Sequence, residues 1–221
     1  RLRDAVPDRP KPMASVAGRP FLEYLLDYWI AQGISRFVLS VGYRHEMIVD
    51  HFGDKYKNAE LRYAVETTPL GTGGGLLLAA AKVEDEESFL LLNGDTYFAA
   101  DLAALVKFAR QNDADWCFSM FQPEESGRYM GMNVAPDGRI TSLKSGSARP
   151  GYPANGGVYW LSRRILDNCR FGAGEKFSLE EDLAPAALTG GLRLFGCLFP
   201  GTFIDIGLPS DYARAAGVIA A

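Results

Sequence analysis

Apolar residues recur along the first half of the chain with two alternating spacings. Between Pro20 and Gly33 they stand three or four positions apart, which predicts an amphipathic helix bounded by those two residues. The next stretch, RFVLSVG, is a short continuous apolar run, typical of a buried strand. The alternation continues through HEMIVDHFGD, LRYAVE, GGLLLAAAKV, SFLLLNGD and DLAALVKFARQN, with Asp101 as the expected N-cap of the last helix. Apolar strands separated by helices predict a parallel sheet covered by helices on both faces.

The pattern changes near residue 114. ADWCFSMF, MGMNVAPDGRITSL and GGVYWLS read as strands joined by tight turns, with Asp137-Gly138 as a hairpin signal. Short helices are expected near RRILDNC and LEEDLAPAAL, where Ser178 and Glu181 match a capping box. LRLFGCLF and TFIDIG then predict strands before a final helix. Because no Ser/Gly/Pro-rich linker divides the chain, we expect one domain over residues 1–221, with a nucleotide-binding half (1–113) and a smaller substrate-binding half (114–221).

Composition and charge narrow the range of partners. The 221 residues are 48% hydrophobic and 23% charged, which is typical of a soluble globular domain with a full core. A formal net charge of -4 gives no general attraction to nucleic acid or anionic lipid, and no apolar run approaches the length of a membrane span. Cys117, Cys169 and Cys197 lack any C-x-x-C spacing, which favours a reducing cytoplasm over a disulfide frame or a zinc site.

Two aspartates interrupt apolar strands. In LLLNGDTYF, three leucines lead into Asn93, Gly94 and Asp95, and in FIDIG, Asp205 stands inside an apolar run. Asp95 alone could be a turn or cap residue, but a carboxylate within a core strand is costly unless a cation or hydrogen bonds satisfy it. In open α/β sheets, ligands bind at the carboxyl ends of strands. The pair therefore predicts a site for Mg²⁺, which takes one or two carboxylates together with phosphate oxygens and water.

Two further segments suit phosphate chemistry. TTPLGTGGG, residues 67–75, lies between a predicted strand and a predicted helix, where glycines let a ligand approach the backbone and free N–H groups meet an anion or a base edge. A tight turn explains the same pattern, and the segment is neither a Walker loop nor G-x-G-x-x-G. Lys11 stands between two prolines, which we expect to hold the backbone extended, so it is a candidate phosphate contact as well as an ordinary solvated charge.

Several segments, in this order, resemble the sugar-1-phosphate nucleotidylyltransferases: RLRDAVPDRPKPMASVAGRPFLEYLLDYW, ETTPLGTGGGL, FLLLNGDTYF, ITSL, NGGVYWL and FIDIGLPSDY. Within that superfamily, PKPM, NGGVYWL and KFSLEEDL are most similar to the D-glycero-α-D-manno-heptose 1-phosphate guanylyltransferases. The resemblance implies a Rossmann-like α/β fold with a mixed, mostly parallel central sheet and helices on both faces. It also implies a reaction between a nucleoside triphosphate, here GTP, and a sugar 1-phosphate that gives a nucleotide-diphospho-sugar and pyrophosphate for surface polysaccharide or glycan biosynthesis.

The resemblance assigns roles to particular positions. It implies Mg²⁺ on Asp95 and Asp205, with Arg1 and Lys11 on the phosphates. The implied nucleotide contacts are Glu66, Leu70, Gly71, Thr72, Gly73, Asn93 and Gly94, and the implied sugar contacts are Gly131, Asn155, Gly156 and Gly157. The family has a Glu-Lys pair where this chain reads KSGSARPG. We expect Lys144, in a shifted register, to contact the sugar phosphate; the alternatives are that Arg149 replaces it or that the contact is lost. Family members open with a strand and a G-G-x-G-T-R-L loop, of which only Arg1-Leu2 match, so we expect that strand and loop to precede residue 1.

Other functions keep part of this pattern. Mannose 1-phosphate guanylyltransferases, glucose 1-phosphate thymidylyl- or uridylyltransferases and N-acetylmuramate 1-phosphate uridylyltransferases share the motifs. A glycosyltransferase would typically show Asp-x-Asp, whereas Thr96 and Tyr97 follow Asp95. A non-catalytic sugar-nucleotide subunit has little need of Asp205.

His45 and His51 lack metal spacing, so surface or packing roles are expected. A homo-oligomer stays open, because Trp116 or Phe199 could lie in the core or in an interface.

Overall fold

The computed structural model describes residues 6–83 and 86–219, and it confirms an α/β architecture. The helices are α1 Phe21–Ala31, α2 His45–Phe52, α3 Gly71–Ala80, α4 Leu102–Gln111, α5 Arg164–Asp167, α6 Ala184–Thr189 and α7 Pro209–Ile219, with a 3-10 turn at Lys11–Met13 and a π-helical turn at Leu179–Leu183. The strands are β1 Ser15–Val16, β2 Arg19–Pro20, β3 Arg36–Val41, β4 Lys55–Tyr56, β5 Ala59–Val65, β6 Ser88–Leu92, β7 Thr96–Phe98, β8 Trp116–Phe121, β9 Gly131–Val134, β10 Ile140–Lys144, β11 Ala154–Ser162, β12 Leu194–Leu198 and β13 Phe203–Asp205.

The strands form mixed sheets. The largest sheet has the order β10-β9-β11-β8-β12, and β6 also pairs with β11. A second sheet has the order β3-β5-β4, and a two-stranded sheet joins β13 to β7. The predicted parallel arrangement holds for β3 with β5 and for β12 with β8, whereas the other strand pairs among the described residues are antiparallel. The mixed sheet places the end of β6 beside β11, where the polar residues of the candidate site gather.

The helices follow the apolar spacing seen in the sequence. α1 buries Phe21, Leu22, Leu25, Leu26 and Trp29. The first four of these side chains pack into a cluster with residues of β3, α2 and β5, because they lie on one face of the helix. At the start of α4, the Asp101 side chain accepts a hydrogen bond from the Ala104 N–H at 2.7 Å, which confirms the predicted N-cap.

The predicted capping box is only partly present. Ser178 Oγ accepts from the N–H groups of Glu180 and Glu181, as expected of a cap, but Ser178 N donates to Asp182 Oδ2 at 2.7 Å and not to Glu181. The reason is the π-helical turn at Leu179–Leu183. Because a π-helical turn is wider than an α-helical one, it brings the side chain of Asp182, four residues after Ser178, back to the Ser178 backbone. The predicted partner, Glu181 at the third position, was therefore wrong.

The backbone at Lys11 also differs from expectation. Pro10 is extended, with φ -67° and ψ 148°, but Lys11–Met13 form a 3-10 turn in which Ala14 N donates to Lys11 O at 2.9 Å. The prediction of an extended backbone at Lys11 was therefore wrong. Pro12 is tolerated because the first residues of a helical turn have no intrahelical acceptor for an N–H.

Strand β11 pairs with β8 on both sides of an irregularity and gains β6 as a further partner beyond it. Its register against β8 shifts between Asn155 and Tyr159, and Gly157 within the shift has φ +71°. Beyond that point, Val158 to Ser162 pair with β6. A bulge bends a strand and redirects its side chains, so this irregularity explains why backbone and side-chain polar groups of Asn155–Gly157 point to the end of β6.

The core consists of three apolar clusters. In the first, Trp116 stacks on Phe118 with ring centroids 4.7 Å apart, and both rings contact Tyr159. Trp116 is fully buried and Phe199 is 8% exposed, so both belong to the core rather than to an exposed surface of this chain. The three cysteines are free. Within residues 6–83 and 86–219, no helix has the length and apolar character needed to cross a membrane.

Candidate functional site

Asp95 and Asp205 meet because β7 and β13 pair. The antiparallel register sets Asp205 opposite Thr96, and Ile206 N donates to the Asp95 carbonyl at 2.9 Å. Burial raises the pKa of Asp205 above its ordinary value, and the nearby charge of Asp95 raises it further. The fold thus holds two carboxylates close enough that the charge of Asp95 disfavours ionisation of Asp205, an arrangement that a divalent cation would relieve.

Two carboxylates match what a hard divalent ion requires from a protein. Such an ion can bind through one or two carboxylates and take the rest of its ligands from phosphate and water. Among the described residues, no group of three or more His, Cys, Asp or Glu side chains is arranged to hold a metal ion. Asp95 and Asp205 therefore fit a metal that is completed by substrate oxygens, rather than a closed site made of protein ligands alone.

Lys11 lies beside this pair. Its Nζ is 3.0 Å from Asp95 Oδ2, and the two side chains are 38% and 33% exposed. A pair this exposed contributes little to stability, because water screens the attraction. The ammonium group can therefore exchange a carboxylate partner for a ligand phosphate at small cost.

Arg128 is a site residue that the sequence reasoning missed. It lies between β8 and β9, donates to the Asp205 carbonyl at 3.2 Å, and stacks over Tyr129 at 4.8 Å from the ring centroid. It also pairs with Asp211 at the start of α7, whose side chain is only 6% exposed. Arg128 thus ties Asp205 to α7. Its only sequence signal is an arginine followed by Tyr-Met-Gly, which does not distinguish it from other arginines.

A polar cavity of about 230 Å³ adjoins Asp205. Asn93 N donates to Gly157 O at 2.9 Å, which closes one wall between the end of β6 and the bulge of β11. Asn155 Oδ1 accepts from Gly157 N at 3.1 Å. Five of the sequence-predicted residues line this polar cavity together with Arg128 and Glu180: Asn93, Asn155, Gly156, Gly157 and Asp205.

Gly131 supports this cavity without being among the residues that line it. It pairs with Ala154 at the start of β11, and a Cβ at Gly131 would lie 2.6 Å from Ser147 Oγ. Met130, its neighbour, lines the cavity instead. The glycine therefore allows the chain at Ser147 to approach β9 closely.

The predicted nucleotide segment begins a helix. α3 starts at Gly71, so Gly71, Thr72 and Gly73 form its first turn rather than a loop before it. Gly73 N donates to Phe177 O at 3.0 Å, and a Cβ at Gly71, which has φ +72°, would lie 2.5 Å from the same oxygen. These glycines allow the chain around Phe177 to pack directly on the N-terminus of α3.

Glu66 and Leu70 lie in the segment that leads from β5 into α3. Glu66 Oε2 accepts from Leu70 N at 3.0 Å, and Glu66 Oε1 accepts from Ser40 Oγ at 3.1 Å. Leu70 is buried, at 8% exposure. Glu66 thus fixes the segment between β5 and α3 to the end of β3.

A larger groove lies between β3 and β6. It encloses about 800 Å³ and extends from Gly94 and Asp95 along apolar side chains of both strands, α1 and α3, including Phe37, Leu39, Leu22 and Leu76. Among the described strands, β3 pairs only with β5 and β6 only with β11, so the edges that line the groove have no partner strand. We call this region the apolar groove.

The remaining predicted cations lie elsewhere. Lys144 is the exposed last residue of β10, and Arg149 is exposed and stacks on Tyr152, 3.9 Å from the ring centroid. Neither lines the polar cavity, whose one described cationic side chain is Arg128. Arg1 lies outside the described residues. His51 bonds to Glu23 at 2.8 Å, and His45 Nδ1 lies 3.3 Å from the Gly42 carbonyl, so neither histidine belongs to the site.

Comparison with known proteins identifies the family. The nucleotidyl transferase family model matches residues 1–221. The chain is 37% identical to D-glycero-alpha-D-manno-heptose 1-phosphate guanylyltransferase of Aneurinibacillus thermoaerophilus over 97% of its length and 91% of that protein. It is 35% identical to the protein of the same name from Campylobacter jejuni, over 96% of this chain and 91% of the other.

A solved structure extends the similarity to the fold. HddC from Yersinia pseudotuberculosis, complexed with GMP-PN, superposes with a TM-score of 0.82 at 32% identity, over 95% of this chain and 90% of that one. The chain therefore belongs to the nucleotidyl transferase family, as the motifs predicted. Members of this family generally use a divalent metal.

Proposed function

We propose that this nucleotidyl transferase joins GTP and D-glycero-α-D-manno-heptose 1-phosphate, giving GDP-heptose and pyrophosphate for surface polysaccharide or glycan synthesis in the cytoplasm. The observation that carries the proposal is the cluster of Asp95, Asp205 and Lys11, of which Asp205 lines the polar cavity. The names of the two relatives support heptose and guanine, and the GMP-PN complex of HddC supports a guanine nucleotide.

The reaction needs positioning and charge neutralisation more than covalent chemistry. An oxygen of the sugar phosphate attacks the α-phosphorus of GTP, a new P–O bond forms, and the bond from the α-phosphorus to the oxygen bridging to the β-phosphorus breaks as pyrophosphate leaves. The attacking phosphate is already ionised at neutral pH, so no general base is required. The protein must instead hold two polyanions together in line.

Each part of the site has a role in that task. Asp95 and Asp205 would hold Mg²⁺, which supplies a Lewis acid and a template for phosphate oxygens when bound. Lys11 moves from Asp95 to a phosphate oxygen and neutralises its charge. We assign Thr72 and Asn93, which line the apolar groove, to the nucleotide, and the Asn155–Gly157 segment, which lines the polar cavity, to the sugar.

The apolar groove supports a further part of the proposal, the strand and glycine-rich loop that the family resemblance implies before residue 1. An extended apolar strand in the groove would pair with the free edges of β3 and β6 and cover Phe37 and Leu39. Running parallel to β6, it would end beside Gly94 and Asp95, where a phosphate loop is needed. We assign Arg1 to the end of that loop.

A substrate panel tests the proposal most directly. Pyrophosphate release is measured for ATP, GTP, CTP and UTP, each paired with mannose, glucose, N-acetylated and heptose 1-phosphates, in the presence of Mg²⁺ and on the protein with its natural N-terminus. We expect the highest kcat/KM for GTP with the heptose 1-phosphate. No release with any pairing would refute the nucleotidyl transfer, and preference for another sugar or base would refute that part of the substrate assignment.

A pair of variants tests the metal assignment. Asp95→Ala should abolish Mg²⁺-dependent pyrophosphate release, whereas Asp50→Ala, which removes an exposed carboxylate of α2, should leave it unchanged. Full activity of Asp95→Ala would show that this carboxylate does not hold the metal. Binding of Mn²⁺ followed by electron paramagnetic resonance gives the same comparison without turnover.

A further inference from the structure

Glu180 connects the two halves of the molecule at the wall of the polar cavity. It lies in the π-helical turn Leu179–Leu183. Its carboxylate accepts a hydrogen bond from Thr72 Oγ1 at 3.0 Å and one from Tyr159 Oη at 3.3 Å. Thr72 begins α3 beside the predicted nucleotide site, and Tyr159 belongs to β11 beside the predicted sugar site.

The two hydroxyl protons are directed at Glu180 by other hydrogen bonds. Thr72 Oγ1 accepts from Leu179 N at 2.8 Å, and Tyr159 Oη accepts from Asn155 Nδ2 at 2.7 Å. A hydroxyl has a single proton, so each leaves that proton for the carboxylate. Tyr159 is fully buried, and burial, with the charge of Glu180 adding to it, raises the pKa of its phenol and keeps it protonated. The position of the carboxylate is therefore fixed from two sides.

Glu180 retains capacity to accept another hydrogen bond. A carboxylate offers about four acceptor positions. Thr72 and Tyr159 occupy two, and Ser178 Oγ, which accepts from two backbone N–H groups, donates to a third at 3.4 Å, so one position stays open. Because Glu180 lines the cavity, a ligand there meets a fixed, negatively charged acceptor.

The charge of this acceptor selects the chemistry that it can bind. A carboxylate attracts a neutral hydroxyl donor and repels a phosphate. Arg128 lies on the Asp205 side of the same cavity. A sugar 1-phosphate would therefore bind with its ring hydroxyls toward Glu180 and its phosphate toward Arg128, Lys11 and the metal ion that Asp205 would hold.

We propose that Glu180 is a specificity-determining residue that accepts a hydrogen bond from a ring hydroxyl of the sugar 1-phosphate, with Thr72 and Tyr159 holding its carboxylate in place. The inference rests on the proposed function and adds a residue that the sequence motifs did not single out. It also explains why the turn bearing Glu180 packs on the first turn of α3, since one side chain then serves the sugar cavity while fixing the nucleotide segment.

The first test is steady-state kinetics of Glu180→Gln. D-glycero-α-D-manno-heptose 1-phosphate is varied at saturating GTP, and GTP is then varied at saturating sugar phosphate. We expect kcat/KM for the sugar phosphate to fall about 10- to 100-fold and KM for GTP to change less than about threefold. Glu46→Gln, an exposed glutamate of α2, is the matched control and should match wild type. Equal changes in the kinetic constants for the two substrates, or no change for either substrate, would overturn the proposal.

The second test identifies the bound hydroxyl. Mannose 1-phosphate and its 2-, 3-, 4- and 6-deoxy analogues are compared in wild type and in Glu180→Gln. One analogue should lose about tenfold or more in kcat/KM with wild type and much less with the variant, because the variant has already lost that hydrogen bond. The same loss in both proteins for every analogue would contradict the proposal.

Two outcomes keep this inference separate from the proposed function. If wild type releases no pyrophosphate from any pairing, the proposed function fails; if wild type is active and Glu180→Gln is kinetically unchanged, only the role of Glu180 fails. If Glu180→Gln does not fold, Tyr159→Phe decides, since it keeps the buried ring and removes one of the two hydroxyls that orient the carboxylate. A KM for the sugar phosphate several-fold above wild type is expected of Tyr159→Phe, and an unchanged KM would overturn the proposal.

Discussion

The apolar groove and the polar cavity are two concavities of the described part of the chain, and they differ in what surrounds them. The groove encloses about 800 Å³ between strand edges and apolar side chains, whereas the cavity encloses about 230 Å³ among amides, carboxylates and one arginine. We place the sugar phosphate in the smaller one, which Asp205 lines; Asp95 lines the groove, and the two concavities meet at Asn93. The walls of the groove are apolar, like those of a protein core, whereas the walls of the cavity are polar and suit a polar ligand.

The contrast teaches that size and chemistry are separate properties of a concave surface. Apolar walls with unpaired strand edges favour an extended apolar chain, because both backbone hydrogen bonds and apolar burial would be gained. Fixed polar groups such as Glu180 and Asp205 favour a polar ligand, since each must otherwise be satisfied by water. Substitutions in the cavity should therefore change turnover, and substitutions in the groove should change folding stability.

The largest effect is expected from Asp205→Asn. Loss of a carboxylate that holds the metal should lower kcat/KM at least about 100-fold. Because folding raises the pKa of Asp205, its favourable contribution to stability is present at low pH and is lost as pH rises through the folded pKa. Asn has no such charge, so the metal-free variant should have a higher Tm than wild type at neutral pH.

Differential scanning calorimetry with and without Mg²⁺ checks this prediction. Added Mg²⁺ with nucleotide should raise the Tm of wild type and leave that of Asp205→Asn nearly unchanged, because only the former binds the ion. A variant that retains wild-type kcat/KM, or that is less stable than wild type at neutral pH, would contradict the account of Asp205.

Arg128→Met should have the next largest effect. Without the guanidinium, Asp205 loses its tie to Asp211 and α7, and we expect about a tenfold loss in apparent affinity for the metal, measured by Mn²⁺ titration. Arg139→Met, at an exposed arginine between β9 and β10, is the control and should bind Mn²⁺ as wild type does. Equal Mn²⁺ affinity of the two variants would remove Arg128 from the metal site.

The smallest effect on activity is expected in the groove. Leu22→Ala on the groove wall should lower the free energy of unfolding by about 2 kcal/mol, and Leu105→Ala, fully buried in another cluster, by about 3–4 kcal/mol. The loss of unfolding free energy is smaller for Leu22→Ala because one side of Leu22 faces the groove and has few contacts to lose. Urea denaturation measures both values, and a larger loss for Leu22→Ala would mean that the groove is packed like ordinary core.

Much of the candidate site was predictable, because its residues differ in type from the apolar residues beside them in the sequence. Asp95 and Asp205 follow or interrupt apolar runs, and Gly71 and Gly73 precede a run of apolar residues, so each is conspicuous in the sequence. Arg128 and Glu180 are not, since an arginine in a polar loop and a glutamate in a run of acids are unremarkable locally. Their roles come from partners at positions 211, 72 and 159, far along the chain.

The sequence alone determined the alternation of strands and helices, the cap at Asp101 and the family, because these depend on local spacing and on short motifs. Tertiary structure decided the rest. It placed Asp205 beside Asp95 through the pairing of β13 with β7, left Lys144 exposed, and brought Thr72 and Tyr159 to one carboxylate. Strand pairing and side-chain contact join residues that are distant in the chain, and no local pattern encodes which distant partner each residue will meet.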